Sequence, residues 1–193
     1  FILEGGSIET DGQGTLLTTS TCLLSKNRNN LSKEELEFRL KGYFNVHTIL
    51  WLNHGYLEGD DTDSHIDTLA RFCNHETIAY VHCDDRRDSH FDELSKMAAE
   101  IKQFSQSNGR TYKLIALPMA DPVYYDGERL PATYANFLIL NQAVLVPTYE
   151  SPKDDMALQQ LKKAFPDREI IGINCIPLIK QHGSLHCITM QYV

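Results

Sequence analysis

The feature that most constrains this chain is a weak internal repeat. Three times the sequence reads as two short apolar strands around a turn, then an amphipathic helix, then another apolar strand. A unit of that kind cannot bury both faces by itself, so neighbouring units must pack side by side around a shared core. The turns fall near Asp11-Gly12, Asn74-His75 and Asn141-Gln142. Each helix follows a serine with an acid three residues on: Ser32 with Glu35, Ser89 with Asp92, and Ser151 with Asp154. That spacing resembles a capping box, in which the hydroxyl and the carboxylate satisfy each other's free backbone N–H groups.

The helices are expected to bury Leu36, Leu40 and Phe44 in the first copy, and Leu94, Met97, Ile101 and Phe104 in the second. In the third, the buried stripe is Ala157, Leu158, Leu161, Ala164 and Phe165, with Pro152 suited to the first helical position. Gly42 and Asn108-Gly109 read as helix stops. Buried strands should follow at 48–52, 114–117 and 170–173, and the polar stretch 121–131 reads as a surface loop between the second and third copies. The repeats span about 1–58, 59–120 and 130–175, with a closing segment 176–193 that begins a strand near Cys187. Stepping seven residues back from the three turns gives Glu4, Asp67 and Tyr134, polar side chains that units arranged about an axis would bring to one mouth.

Composition narrows the function. The formal charge of -8 argues against a nucleic-acid binder, which needs a concentrated basic surface. No apolar run reaches the length of a membrane span. Because the chain opens on Phe1, it is expected to be a piece of a longer protein whose targeting signals are out of view. Five cysteines, Cys22, Cys73, Cys83, Cys175 and Cys187, form an odd set with no C-x-x-C spacing, against a disulfide scaffold or zinc ribbon. The pairs His82-Cys83 and His186-Cys187 make a poor metal site, since neighbours in a strand point to opposite faces. On that ground His186 is expected to turn away from Cys187 and to be structural. No metal or cofactor is expected.

What remains is a thiol, an imidazole and acids from separate parts of the chain. Gly183-Ser184-Leu185-His186-Cys187-Ile188-Thr189-Met190-Gln191 holds one cysteine behind a small-residue turn. Gly59-Asp60-Asp61-Thr62-Asp63-Ser64-His65-Ile66-Asp67 supplies the histidine and carboxylates. Such a set can make a nucleophile, a proton shuttle and a grip for a cation. Asp60, Asp61 and Asp63 lack the spacing and terminal glutamate of a calcium loop and read as supports for the site. A papain-like protease is disfavoured, because here the histidine precedes the cysteine.

With Glu4-Gly5-Gly6-Ser7-Ile8, Asn27-Arg28-Asn29, Gly59 to Phe72, Leu130 to Phe137 and Gly183 to Gln191, the chain resembles the agmatine deiminase and bacterial peptidylarginine deiminase family of guanidino-group-modifying enzymes. The resemblance implies an α/β propeller (pentein) of five ββαβ units with five-fold pseudosymmetry. This chain would hold the last three units plus the closing strand as a single catalytic domain's C-terminal part. It implies Cys187 as nucleophile, His65 as proton shuttle, Asp67 as guanidinium grip and Glu4 as the group orienting His65. The substrate would be a small cationic guanidino compound, agmatine first and peptidyl-arginine second; a non-catalytic propeller scaffold ranks below both. It implies a cytoplasmic enzyme of putrescine biosynthesis, with the first two units supplied by another segment and a homo-oligomer left open. Asn27-Arg28-Asn29 receives no role, and Tyr134 and Asn136 are expected only to pack at the third unit's rim.

Overall fold

In a computed structural model, residues 1–190 are described, and they form an α/β fold built on three separate three-stranded sheets. The first sheet takes β1 (Ile8–Thr10), β2 (Thr15–Thr19) and, after the short helix α1 (Ser20–Leu23) and the long helix α2 (Lys33–Phe44), β3 (Thr48–Leu52). The second takes β4 (Ala70–Asn74), β5 (Thr77–His82) and, after α3 (Phe91–Ile101), β6 (Lys113–Pro118). A hairpin of β7 (Val123–Tyr125) and β8 (Glu128–Leu130) intervenes. The third sheet takes β9 (Leu138–Ile139), β10 (Ala143–Thr148) and, after α4 (Asp154–Ala164), β11 (Glu169–Asn174); the short helix α5 (Ile176–Ile179) follows.

Each sheet has one pattern. Its first strand pairs antiparallel to the second through a short turn, and its second pairs parallel to the third across a helix. A parallel pair needs a crossover, which is why a long helix stands between those strands in every copy, preceded in the first by the short α1. One large cluster reaches all three sheets and includes Leu17, Leu52, Leu69, Ile78, Leu94, Met97, Tyr134, Phe137 and Leu161. A smaller one joins Cys22, Leu23, Leu36, Leu40 and Trp51 beneath α2. Leu40 is fully buried there, so Leu40→Ala would cost about 2–5 kcal/mol.

The local signals met mixed outcomes. Ser32 and Glu35 do form a reciprocal capping box on α2. Helix α3 instead starts at Phe91 with no side-chain cap, so Ser89 does not serve. At α4 the carboxylate of Asp154 accepts from the Ser151 N–H and the Ser151 hydroxyl accepts from the Lys153 N–H, while Pro152 stays in the turn before the helix. Helix α2 runs through Gly42 and stops at Asn45, whose left-handed conformation (φ 51°) ends it. Asn108-Gly109 lies in a later turn, since α3 has already closed at Ile101. Phe44 is exposed and lines the groove described below, so it is not a core residue. Within the stretch read as a loop, Asp126 and Gly127 both take positive φ (50° and 85°), the geometry that closes a tight two-residue hairpin between β7 and β8.

Cys187 and Ile188 belong to a 3-10 turn, His186–Ile188, where a strand was expected. The end of that expected strand, 191–193, lies outside the described residues.

Candidate active site

Two 3-10 turns precede the first strands of the first two sheets, Gly5–Ser7 before β1 and Ile66–Thr68 before β4. In the third sheet the corresponding stretch is a turn at Tyr134-Ala135. The first two stretches and the turn at His186–Ile188 meet on one side of the molecule, while Tyr134 and Ala135 are fully buried. A groove of about 2100 Å³ opens between them, lined by Glu4, His65, Asp67, Arg71, His186 and Cys187 among others. That exceeds the ~300–1,000 Å³ of a typical small-ligand pocket. Repeat symmetry thus gathers residues far apart in sequence at one place.

The ladder registers refine the repeat. Thr10 faces Leu16, Phe72 faces Ile78 and Ile139 faces Val144, each opposite the second residue of its sheet's middle strand. Five residues back from Thr10, Phe72 and Ile139 lie Gly5, Asp67 and Tyr134, so Glu4 is one residue out of step. Tyr134 also fails to reach the mouth. It is fully buried, and its hydroxyl donates to Asp154 Oδ1 at 2.7 Å. Asn136, two residues on, takes the place expected for it.

His65 is set by the aspartate-rich loop before it. Asp63 and Ser64 both hold left-handed backbone (φ 60° and 63°), at a cost of order 1–3 kcal/mol each that other contacts must offset. Those contacts are present. Asp60 Oδ2 accepts from the Ser64 N–H at 2.7 Å, and Asp60 Oδ1 accepts from the Thr62 hydroxyl at 2.6 Å. Thr62 Oγ1 in turn accepts from the His65 N–H, and the Ser64 carbonyl accepts from the Thr19 hydroxyl. Asp60 and Asp63 therefore act as loop supports, as their pattern implied.

Arg28, which the sequence left without a role, ties this loop to Glu4. Its Nε donates to both Glu4 oxygens at 3.0 Å, its Nη1 to Asp63 at 2.7 Å and its Nη2 to the Thr62 carbonyl at 2.8 Å. Partial burial pushes the Glu4 carboxyl up, but the Arg28 hydrogen bond and charge outweigh it and hold the group below the usual range. Among the described residues, Glu4 makes no hydrogen bond to His65, and His65 Nε2 is buried without a partner. Glu4, Cys22 and His65 do bring possible ligand atoms within 4.8 Å of one another. However, a guanidinium already neutralises Glu4, and burial pushes the Cys22 thiol up to about 12, a poor basis for a metal ligand.

Gly6 sits against both site residues. A Cβ there would stand 2.7 Å from His65 Nδ1 and 2.9 Å from Asp67 Oδ1, so this glycine is required by close approach.

The other side of the site is buried. Asn136 is fully enclosed and connects three partners. Its Nδ2 donates to the Asp67 carboxylate and carbonyl and contacts Cys187 Sγ at 3.3 Å, while its Oδ1 accepts from the His186 and Cys187 N–H groups. Asn136 is therefore no rim-packing residue. The only cue in the sequence was a lone amide between apolar neighbours, which fits a packing role equally well.

Cys187 is exposed as a residue, with its sulfur turned inward to Asn136 and to Asp67 Oδ2 at 3.8 Å. Burial of that sulfur, then the Asp67 charge, push its thiol up to about 11. A nearby cation would reverse the second effect. His186 does not turn away from the site. Its Nδ1 lies 2.8 Å from Asp67 Oδ2, because in a 3-10 turn adjacent side chains need not oppose each other as they do in a strand. The four other cysteines are buried and none is in a disulfide.

Comparison with known proteins identifies the family. A profile of the Porphyromonas-type peptidyl-arginine deiminase family matches residues 1–192. An agmatine deiminase of Medicago truncatula is 35% identical over 99% of this chain and 57% of its own length. The solved structure of C. jejuni agmatine deiminase with substrate bound is 46% identical, with a TM-score of 0.92 over 97% of this chain and 55% of that one. A candidate arginine deiminase of Porphyromonas gingivalis is 56% identical, with a TM-score of 0.97 over 100% of this chain and 57% of that one. The chain thus spans a little over half the length of the relatives it matches. By sequence and by fold, it belongs to the Porphyromonas-type peptidyl-arginine deiminase family.

Proposed function

We propose that the protein is a cysteine hydrolase that deiminates agmatine, giving N-carbamoylputrescine and ammonia. The observation that carries this reading is the placement of the Cys187 sulfur 3.8 Å from an Asp67 carboxylate, in a groove also lined by His65. A carboxylate beside a thiol is an unfavourable place for a thiolate until a cation arrives. A guanidinium gripped by Asp67 supplies that cation and presents its electrophilic carbon to the sulfur.

The steps balance as follows. The thiolate of Cys187 attacks the guanidinium carbon, forming a C–S bond and a tetrahedral adduct. His65 delivers a proton to one nitrogen, the C–N bond breaks and ammonia leaves, so that the carbon remains on sulfur as a thiouronium. His65 then takes a proton from water, the hydroxide adds to the same carbon, and the C–S bond breaks to release the thiolate while the hydroxyl proton passes to solvent, leaving the neutral ureido product. Glu4 acts here through charge rather than through a hydrogen bond to His65. The sequence requires neither a metal nor a redox cofactor.

The finer fold reading is likewise a proposal. The three sheets are three units of a five-unit propeller, spanning about 1–58, 59–120 and 130–175 of one catalytic domain, with two further units closing the groove. Support comes from the shared strand pattern and from the turns at Gly5–Ser7 and Ile66–Thr68 facing one groove. Among the described residues no helix is long and apolar enough to cross a membrane. Five free cysteines fit a reducing compartment such as the cytoplasm.

The test is ammonia release from agmatine by the protein and by Cys187→Ala. Turnover that survives the substitution unchanged would sink the proposal and leave a non-catalytic scaffold. The match to the Porphyromonas-type peptidyl-arginine deiminase family supports one second reading, arginine within a peptide. An arginine peptide turned over faster than agmatine would select it.

A further inference from the structure

Behind the proposed guanidinium grip lies a row of buried polar groups with no part in the reaction as written. Arg71, from β4, is 5% exposed. Its Nε donates to Glu9 Oε2 at 2.6 Å, its Nη1 to the Phe137 carbonyl at 2.8 Å, and its guanidinium lies over the Phe137 ring at 5.1 Å. Its Nη2 lies 3.3 Å from His186 Nε2, and the opposite ring nitrogen of His186 lies 2.8 Å from Asp67 Oδ2. The row draws on β1, β4, the stretch before β9 and the closing segment.

Hydrogen-bond chemistry fixes the protons along this row. A guanidinium is only a donor and cannot be deprotonated in a protein. His186 Nε2 must then be the acceptor, and the ring proton sits on Nδ1. From there it is donated to Asp67, which as a carboxylate is only an acceptor. One neutral tautomer is compatible with both neighbours, and the neighbour on one side imposes the bond on the other. Asp67 Oδ2 takes one further bond from Asn136 and a contact from Cys187 Sγ, whereas Oδ1 is buried with no partner among the described residues. The carboxylate is thus held by one oxygen and keeps a vacant acceptor on the other, which a guanidinium N–H would fill.

We infer that Arg71 and His186 are positioning residues for substrate binding: Arg71 locks His186 as the Nδ1–H tautomer, and His186 in turn orients Asp67 toward the guanidinium. The inference rests on the reading of Asp67 as the guanidinium grip. It adds that neither residue touches substrate. It also separates the two site histidines, since His186, with both nitrogens committed, is unavailable as a second proton shuttle.

The test combines ring-nitrogen NMR of the folded chain with agmatine kinetics. In the unsubstituted protein, the His186 signals, assigned by their loss in His186→Asn, should show the Nδ1–H tautomer. In Glu9→Gln/Arg71→Met, which removes both buried charges together so that neither is stranded, the other tautomer should appear. His186→Asn keeps a donor near the Nδ1 position and should leave KM within about threefold. His186→Leu should raise KM on the order of tenfold, the loss of one charge-assisted hydrogen bond, with a smaller change in kcat. A predominant Nε2–H or doubly protonated ring in the unsubstituted protein would overturn the inference. So would a folded His186→Leu with unchanged KM, or equal losses in the Asn and Leu variants. Absence of agmatine turnover in the unsubstituted protein would count against the proposed function, and the tautomer measurement would still decide the role of Arg71.

Discussion

Two arginines organise this site in opposite settings. Arg28 is itself covered, but its partners Glu4 and Asp63 are about 40% and 45% exposed, and its bonds run to a loop with two strained residues. Arg71 and Glu9 are both enclosed, at 6% and 10% side-chain exposure, and Arg71 reaches the carboxylate beside Cys187 through His186. Burial pushes the Glu9 carboxyl up, with Arg71 opposing it. Ion pairs near water are screened and contribute little to global stability, whereas a buried charge stripped of its partner is expensive. The difference suggests a division of labour. The Arg28 side braces the strained loop at a partly exposed edge, and the Arg71 side is set in the enclosed row that reaches Asp67 through His186.

The contrast can be broken at either end. Arg71→Met strands Glu9 and should destabilise the fold by about 3–5 kcal/mol in chemical denaturation, most of it recovered when Glu9→Gln is added. Equal stabilities of the single and double variants would show that the pair is not a unit. Asn136→Ala removes a fully buried amide that serves Asp67, His186 and Cys187, and should cost about 1–3 kcal/mol for the groups left unpaired.

The third expectation concerns the thiol. Because Cys187 is pushed up to about 11 partly by Asp67, the thiolate fraction, and with it alkylation by iodoacetamide, should rise about tenfold per pH unit from pH 7 toward that value. Asp67→Asn removes the raising charge and should speed alkylation at pH 7.5 by about tenfold, and agmatine should instead protect the thiol in the unsubstituted protein by occupying the site. A slower reaction in Asp67→Asn would refute the electrostatic reading. The smallest effect is expected from Arg28→Met, at about 0–1 kcal/mol of global stability. Its mark should be local, as faster amide exchange at Ser64 and His65 with Cys187 alkylation unaltered.

Much of this was legible in the chain. The apolar stripes of Leu94, Met97 and Ile101 and of Ala157, Leu161 and Ala164, the three turns and the capping box of α2 follow from periodicity and local chemistry, which act over a few residues. The errors share one physical origin. Gly42 looked like a stop, yet the helix continued because burial of Leu36 and Leu40 favours it over the glycine's intrinsic cost. His186 was assigned to a strand by its neighbours, and long-range bonds to Asn136, Arg71 and Asp67 hold it in a turn.

The sequence by itself determined the repeat, the residue types available for chemistry, and the pairing of a Gly-bounded cysteine with a His-x-Asp block. Those are encoded in spacing, and spacing survives without coordinates. Tertiary structure alone decided that Arg28 holds Glu4, that Asn136 rather than Tyr134 reaches the nucleophile, and that Arg71 backs Asp67 through His186. Each of these joins residues separated by 24 to 115 positions, as in Arg28–Glu4 and Arg71–His186. Hydrogen bonds of this kind depend on donor direction and distance, and no local pattern carries that information.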